Sequence, residues 1–331
     1  MGFKLLEVPY LVQRLALGQM ELMELLDLTF MSPILASAAS SLHIETPSFY
    51  SRVGEKQMSI QATILNQNSN QNLKIVFSID KVPSKTMHRK WARRRIQIKR
   101  SGKTFTLKCG KDYAENISIF EDLSKHLLSG MLKVQEFHLH SLMNIFDTTL
   151  FRNNQKYDKV QLVRHDITVE QARFLLEQMD IDDLILSYTG PKCAPEDFEL
   201  KHRIMELGNV DWLSFKSILN MKCEILRVDR VNHMTQKSFS EFIRTWANGG
   251  FENLQEFQCK VPYLWEFSDT NRTYVYREDV YKSFEEMEIT VVKATRDGHQ
   301  KTLQRKCDGK KAELIFKEYF KFVVVQEATV T

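Results

Sequence analysis

Between residues 134 and 260 the chain keeps returning to one short pattern, a strand-sized run of alternating apolar residues. VQEFHLH begins at 134, KVQLVR at 159, DDLILSY at 182, RIMELG at 203, CEILRVD at 223 and LQEFQCK at 254. Helical pieces follow several of them, in TVEQARFLLEQM, WLSFKSILNM and TQKSFSEFIRTWANGG. The spacing of roughly 20 to 30 residues is the range of stacked strand–helix repeats. A single unit of this kind cannot bury its own apolar face, so its neighbours must cover it. The pattern is irregular and lacks an Asn ladder, so the expectation is leucine-rich-repeat-like and no more.

The period changes at both ends of that region. EITVVKATRDGHQKTLQRKCDGKKAELIF places two Asp-Gly pairs between alternating segments, a strong hairpin signal. FKFVVVQ adds a closing strand, and together these predict an antiparallel cap over the last repeat. Before the repeats, MSIQATIL and LKIVFSID read as strands separated by a polar loop, NQNSNQN. RRIQIKRSGKTFTLKC alternates on both sides of Ser101-Gly102-Lys103 and reads as a hairpin. SIFEDLSKHLLSGM carries Ile119, Leu123, Leu127 and Met131 in helical register.

The first 45 or so residues are different again. Pro9 suits a helix start, where its missing N–H costs nothing. Val8, Leu11, Val12 and Leu15 follow on one face, and Gly18 marks a stop. ELMELLDLTF is apolar nearly all round, so it must be covered on more than one side. Ser32-Pro33 opens a third helix with Leu35, Ala38, Ala39 and Leu42 as its stripe, and Thr46-Pro47 closes it. Three short helices of this size carry more apolar surface than they can hide within themselves.

Composition narrows the setting. Hydrophobic residues make up 43% of the 331 and the net charge is only +4, so global charge points to no partner. The cysteines at 109, 193, 223, 259 and 307 are odd in number, widely spaced and without a C-x-x-C pair. That suits free thiols in a reducing compartment. Glu7, Arg14 and Glu21 interrupt any signal-peptide core, and no uncharged run makes a good membrane span. The expectation is an intracellular protein of the cytoplasm or nucleus, with no membrane partner.

Two stretches resemble known families. LLEVPYLVQRLALGQMELMELLDLTFMS is similar to the nematode-type F-box, through Phe3, Leu5, Leu6, Val8, Pro9, Leu11, Val12, Leu15, Met20, Glu24, Leu25 and Leu28. VDWLSFKSILNMKCEILRVDRVNHMTQKSFSEFIRTWANGGFENLQEFQC resembles the F-box-associated type 2 domain, through Trp212, Leu219, Met221, Phe242, Ile243, Trp246, Gly249, Leu254 and Phe257. The aromatic tail at Phe320 and Phe322 fits the same domain. The resemblance implies that the N-terminal helices bind a Skp-type adaptor, and through it a cullin. The adaptor-binding residues it implies are Leu6, Pro9, Leu11, Val12, Leu15, Leu25 and Leu28. The repeat region would then hold an unidentified target protein.

No catalytic constellation accompanies these features. The chain has no G-x-S-x-G, no P-loop, no H-E-x-x-H and no dinucleotide-binding glycine run. A receptor subunit needs none, because it acts by raising the target's concentration near a separate enzyme. His138 and His140 share a strand face, and His165 is the nearest further ligand. Two polar residues on an outer face are the plainer reading, so no metal or cofactor is expected. Trp212 and Trp246 sit in apolar helical spacing and are read as core.

Charge is the strongest local signal. From Lys81 to Lys111 there are twelve lysines and arginines and no acidic residue. The dense part holds Arg89, Lys90, Arg93, Arg94, Arg95, Lys99 and Arg100. A solvated hairpin face is the plain reading, with Ile96 and Ile98 on one side and Arg95, Gln97 and Lys99 on the other.

The chain is therefore expected to be α/β (α+β). A three-helix F-box-like module would occupy residues 1–48 and a mixed connecting region residues 49–131. A leucine-rich-repeat-like domain with its antiparallel cap would occupy residues 132–331. The expected function is a non-catalytic substrate receptor of a cullin-RING (SCF-type) ubiquitin ligase. The alternatives are a repeat-type interaction module without a ubiquitin role, and a nucleic-acid binder acting through residues 85–111.

Overall fold

A computed structural model gives a mixed α/β fold made mostly of strands, with few helices. It describes residues 9–18, 20, 22–31, 33–42, 44–53, 57–66, 69–78, 87–91, 94–101, 104–108, 113–127, 132–140, 156–163, 166–187, 189–230, 236–260, 287, 289–294, 300–316 and 319–325. The chain divides into two compact units, Met1–Leu162 and Val163–Thr331.

The first unit opens with helices α1 (Tyr10–Gly18), α2 (Leu22–Met31) and α3 (Pro33–Ser40). The Pro9 carbonyl accepts from the N–H groups of Val12 (2.9 Å) and Gln13 (3.0 Å), so this proline caps α1 without needing an N–H of its own. Leu17, Leu25, Leu26, Leu35, Ala38 and Ala39 are buried. The next element corrects the sequence reading. Thr46-Pro47 does not end a helix but lies inside strand β1 (Ile44–Val53). At that end β1 is paired with β7 (Leu132–His140), and its pairing with β2 (Gln57–Asn66) begins only at Ser48, so a proline is tolerated where one edge is open.

Strands β2 and β3 (Ser69–Ser78) pair antiparallel from Gln57↔Ser78 to Asn66↔Ser69. The polar NQNSNQN stretch is therefore mostly ladder rather than loop, because backbone hydrogen bonds continue whatever the side chains are. β4 (Met87–Trp91), β5 (Arg94–Ser101) and β6 (Thr104–Lys108) complete this side, with β6 parallel to β3 and antiparallel to β5. On the other side of β1, β7 runs parallel to it and to β8 (Tyr157–Val163). The strand order is thus β8-β7-β1-β2-β3-β6-β5-β4.

Alternate residues of these strands form one apolar face. Val160, Leu162, Phe137, Leu139, Phe49, Ile60, Ala62, Ile75, Leu107 and Ile98 are all buried. The registers put them on the same side, with Phe49↔Phe137, Ile60↔Ile75 and Ile98↔Leu107 as cross-strand pairs. Helix α4 (Tyr113–His126) buries Ile119, Phe120 and Leu123. It starts more than one turn before the expected point, and the Met131 end of the expected helix lies outside the described residues.

In the second unit, strands β9 (Ile181–Ser187), β10 (Ile204–Asn209), β11 (Ile225–Arg230) and β12 (Glu256–Lys260) pair parallel in sequence order. Helix α5 (Val169–Arg173) precedes β9, α6 (Phe215–Leu219) lies between β10 and β11, and α7 (Gln236–Ala247) between β11 and β12. Thr168 and Gln171 cap α5 reciprocally in a capping box. The helix does not run evenly to Gln178 as its pattern suggests, since Phe174–Gln178 relaxes into a π turn.

The hairpins come next. β13 (Ile289–Ala294), β14 (Gln300–Arg305), β15 (Lys311–Phe316) and β16 (Tyr319–Val325) are antiparallel to one another in that order. Instead of merely capping the last repeat, β16 joins the sheet by pairing antiparallel with β12, from Glu256↔Val323 to Lys260↔Tyr319.

Helix α7 shows why this sheet holds together. Phe239, Phe242, Ile243, Trp246 and Ala247 are buried at the spacing of one helical face. The Phe242 ring lies 4.6 Å from Phe257 of β12, 5.9 Å from Phe320 and 5.5 Å from Phe322, both of β16. Aromatic clusters of this kind add to area burial through ring geometry. The helix ends in a Schellman turn, with Gly250 N–H donating to Thr245 O (2.9 Å) and Gly249 N–H to Trp246 O (3.0 Å). Gly249 carries the required positive φ of 89°.

Candidate binding surfaces

The residues of the N-terminal face are not equivalent. Leu11 and Leu15 are 66% and 63% exposed, and Val12 is 43% exposed. All three lie on α1 at the i, i+1, i+4 positions of one face, and Pro9 before them is exposed too. Leu25 is buried at 2% and Leu28 is half-buried, both on α2. Leu6 lies outside the described residues. The open apolar side chains are therefore Leu11, Val12 and Leu15 on α1 together with Ile34 on α3, which is 63% exposed, while Leu25 belongs to the buried packing of the helices. Leucines with well over half their area in water lose that part of the roughly 2 kcal/mol that burying each would contribute.

The basic stretch falls on two paired strands. Arg89 and Lys90 belong to β4, and Arg94, Arg95, Lys99 and Arg100 to β5. Arg93 lies outside the described residues. Arg89 pairs with Ile96 and Lys90 with Arg95 in the register. Ile98 is buried at 1%, and Gln97 and Lys99 beside it are half-buried. The alternation read from RIQIKR is thus realised at these three positions. Among the described strands β4 has β5 as its neighbour and ends the strand order.

His138 is part of a cross-strand row rather than an isolated ligand. Its ring stacks on Tyr50 at 4.3 Å with an interplanar angle of 9°. Nδ1 lies 2.8 Å from Gln161 Oε1, and Nε2 lies 3.5 Å from Glu136 Oε2. His165, like the His140 side chain, lies outside what the structure describes. Among the described residues, no group of three or more His, Cys, Asp or Glu side chains could hold a metal ion. Nor is any described helix long and apolar enough to cross a membrane.

In the second unit the two tryptophans are core side chains. Trp212 is 3% exposed, donates from Nε1 to Asn209 O (2.9 Å) and meets Phe198 edge-on at 5.2 Å. Trp246 is 1% exposed and lies 5.1 Å from Phe322. Cys193, Cys223, Cys259 and Cys307 are free thiols, and burial pushes Cys223 and Cys259 up to about 12. Thiols that hard to ionise are poor nucleophiles and poor metal ligands.

This packed body is where the comparison with known proteins falls. Residues 196–259 match a family model described as F-box associated. No curated protein and no solved structure matches the chain. The F-box-associated segment runs from the bridge residue Glu196, ahead of β10, to Cys259 in β12, so it takes in β10, β11, α6, α7 and nearly all of β12.

Two surfaces of this segment are accessible. The first is the sheet face opposite the aromatic core. Arg227 of β11 bonds Glu206 of β10 (2.7 Å) and Glu256 of β12 (2.8 Å), and Lys321 of β16 bonds Glu256 (3.1 Å). Burial works to raise the Glu256 carboxyl, but its bonds to Arg227 and Lys321 hold it below the usual carboxylate range. These charges neutralise one another across four strands and leave little for a partner.

The second surface is a cleft of about 550 Å³ at the edge of the F-box-associated segment. Glu224, Glu252, Asn253, Leu254 and Gln255 form one side, and Asp308, Gly309, Lys310, Lys311, Val324 and Val325 the other. It sits where the parallel strands β11 and β12 begin and the β14–β15 turn overhangs them. Gly309 takes φ 74° in that turn, and Asp308 accepts from the Lys310 N–H (3.1 Å). No sequence pattern singles out these positions as a site. The Asp308-Gly309 pair announces the turn, but only the pairing of β16 with β12 brings it beside Glu224 and Glu252.

Proposed function

We propose that the protein is the substrate-recognition subunit of a cullin-RING (SCF-type) ubiquitin ligase, acting in the cytoplasm or nucleus. The observation that carries this reading is the F-box-associated match at residues 196–259. Domains of that kind serve F-box proteins as non-catalytic receptor elements. The exposed face of α1 supports the other half of the reading. Leu11, Val12 and Leu15 lie open on a short helix, in the stretch whose residues resemble the nematode-type F-box. A Skp-type adaptor would cover that face, and a cullin would follow through the adaptor. The irregular strand–helix repeats would present the target near the ubiquitin-transferring enzyme, an effect of proximity that requires no reactive group in this chain.

The test is co-expression of the full chain with a Skp-type adaptor followed by affinity capture. Stoichiometric recovery of the adaptor is expected. Failure of folded protein to retain it would remove the ligase role and leave a repeat-type interaction module.

A further inference from the structure

The cleft beside the β14–β15 turn contains a strand pairing that is only half made. Val324 N–H donates to Gln255 O at 2.8 Å, the step after Glu256↔Val323 in the β12–β16 ladder. In an antiparallel pair the reciprocal bond would run from Gln255 N–H to Val324 O. Here Gln255 N–H goes instead to Glu224 O, at 2.7 Å. The Val324 carbonyl points along the same strand edge as its N–H, toward the cleft. β15 and β16 continue to Lys311↔Val325, past the point where β12 has ended. The result is one β16 carbonyl, that of Val324, left without its ladder partner among the described residues and facing a notch.

The walls of the notch differ in sign. Glu224 and Glu252 stand on one side, with Glu252 exposed. Glu224 is fixed there by the Gln255 amide (3.1 Å). Lys310 and Lys311 stand on the other side, with Lys310 exposed. Asp308 adds little negative charge, because Arg305 bonds both its oxygens at 2.6 Å. Leu254, Val324 and Val325 supply the apolar part, and Val325 is 37% exposed. A cleft of about 550 Å³ is in the range that holds a defined ligand rather than a flat contact.

We propose that this cleft binds an extended peptide segment, one backbone N–H of which meets the Val324 carbonyl, with a basic side chain toward Glu224 and Glu252 and an acidic side chain toward Lys310. The backbone bond fixes where the peptide lies, and the two charged walls supply affinity and specificity. Like-charged peptides are rejected by whichever wall they match. The assignment of the peptide to a ubiquitylation target rests on the receptor reading above; the cleft's own preference does not.

The experiment is selection on the full chain with a library of short peptides in which each position is varied in turn. Wild type is expected to select one basic and one acidic residue at a fixed separation. Glu252→Lys is expected to lose the basic preference by tenfold or more, and Lys310→Glu the acidic preference. Both positions are exposed, and unchanged circular dichroism and thermal melts will establish that the variants are folded. Selection of no charged pair by wild type, or an unchanged preference in both variants, overturns the proposal. Loss of adaptor binding by wild type with the peptide preference intact overturns the receptor reading alone.

Discussion

The guanidinium of Arg305 donates from Nη1 to the backbone carbonyl of Trp246 at 2.8 Å and stands 5.5 Å above the indole ring. One side chain thus ties β14 to the last turn of α7, where carbonyl groups concentrate partial negative charge. Asp308 completes the arrangement from the turn, and its carboxyl is held well below the usual range by that same guanidinium. Replacing Arg305 by Leu leaves the Trp246 carbonyl short of a charged donor in a buried position. The expected loss is about 2 kcal/mol, read as a lower denaturant midpoint. Lysine in its place is expected to recover only part, because it cannot grip both Asp308 oxygens.

Gly190 is tight for a different reason. A methyl group there would stand 2.0 Å from Trp212 Nε1 and 2.6 Å from Cδ1. Those atoms belong to a rigid buried ring already committed to Asn209 O. Gly190→Ala should therefore destabilise the second unit by roughly 1–3 kcal/mol, the usual cost of overpacking. The companion change Gly309→Ala meets nothing closer than 3.5 Å, so its cost comes from φ 74° alone. Thermal melts of the two variants should rank them in that order.

His202 gives the second unit a pH dependence. It is buried, with Nδ1 2.8 Å from Ile181 O and Nε2 2.7 Å from Leu175 O. Burial lowers its pKa, and the two carbonyl contacts only partly oppose that. The unfolded imidazole takes up its proton near the ordinary value of about 6.5, whereas the folded one does so only at lower pH. Stability from this group is thus fully present above the unfolded value. It is lost as the pH falls from there through the folded value. Urea midpoints measured from neutral pH down to about pH 5 should fall, and His202→Gln should flatten that part of the profile.

The N-terminal helices separate contact from packing. Leu11→Asp with Leu15→Asp changes two side chains that are mostly in water. Stability should move by less than about 0.5 kcal/mol, while adaptor capture should be abolished. Leu25→Ala opens a cavity under the same helices and should cost about 2–5 kcal/mol. Capture that survives the Asp pair would assign the adaptor contact to another face.

Much of this could be read from residue order, and the failures share a cause. Strands β7 to β12 are legible because each alternates over a half-buried sheet. α7 is legible because Phe239, Phe242, Ile243 and Trp246 recur at helical spacing. Thr46-Pro47 misleads because a proline stops a helix, yet a strand end paired on one side among the described residues accepts it as well. NQNSNQN misleads because its polarity suits a loop, although a ladder asks nothing of its side chains. The cleft was illegible for a stronger reason. Its two walls are more than fifty residues apart in sequence, and nothing local in either wall records the other.

The position of β16 has a consequence for how the protein is made. β12 ends at Lys260 and its antiparallel neighbour begins only at Tyr319. During synthesis, the growing chain must therefore wait with the Glu256–Lys260 edge and the rings of Phe242 and Phe257 uncovered until Phe320 and Phe322 have left the ribosome. At about 5–20 residues per second that interval lasts several seconds, long enough for a chaperone to be the first partner this chain meets.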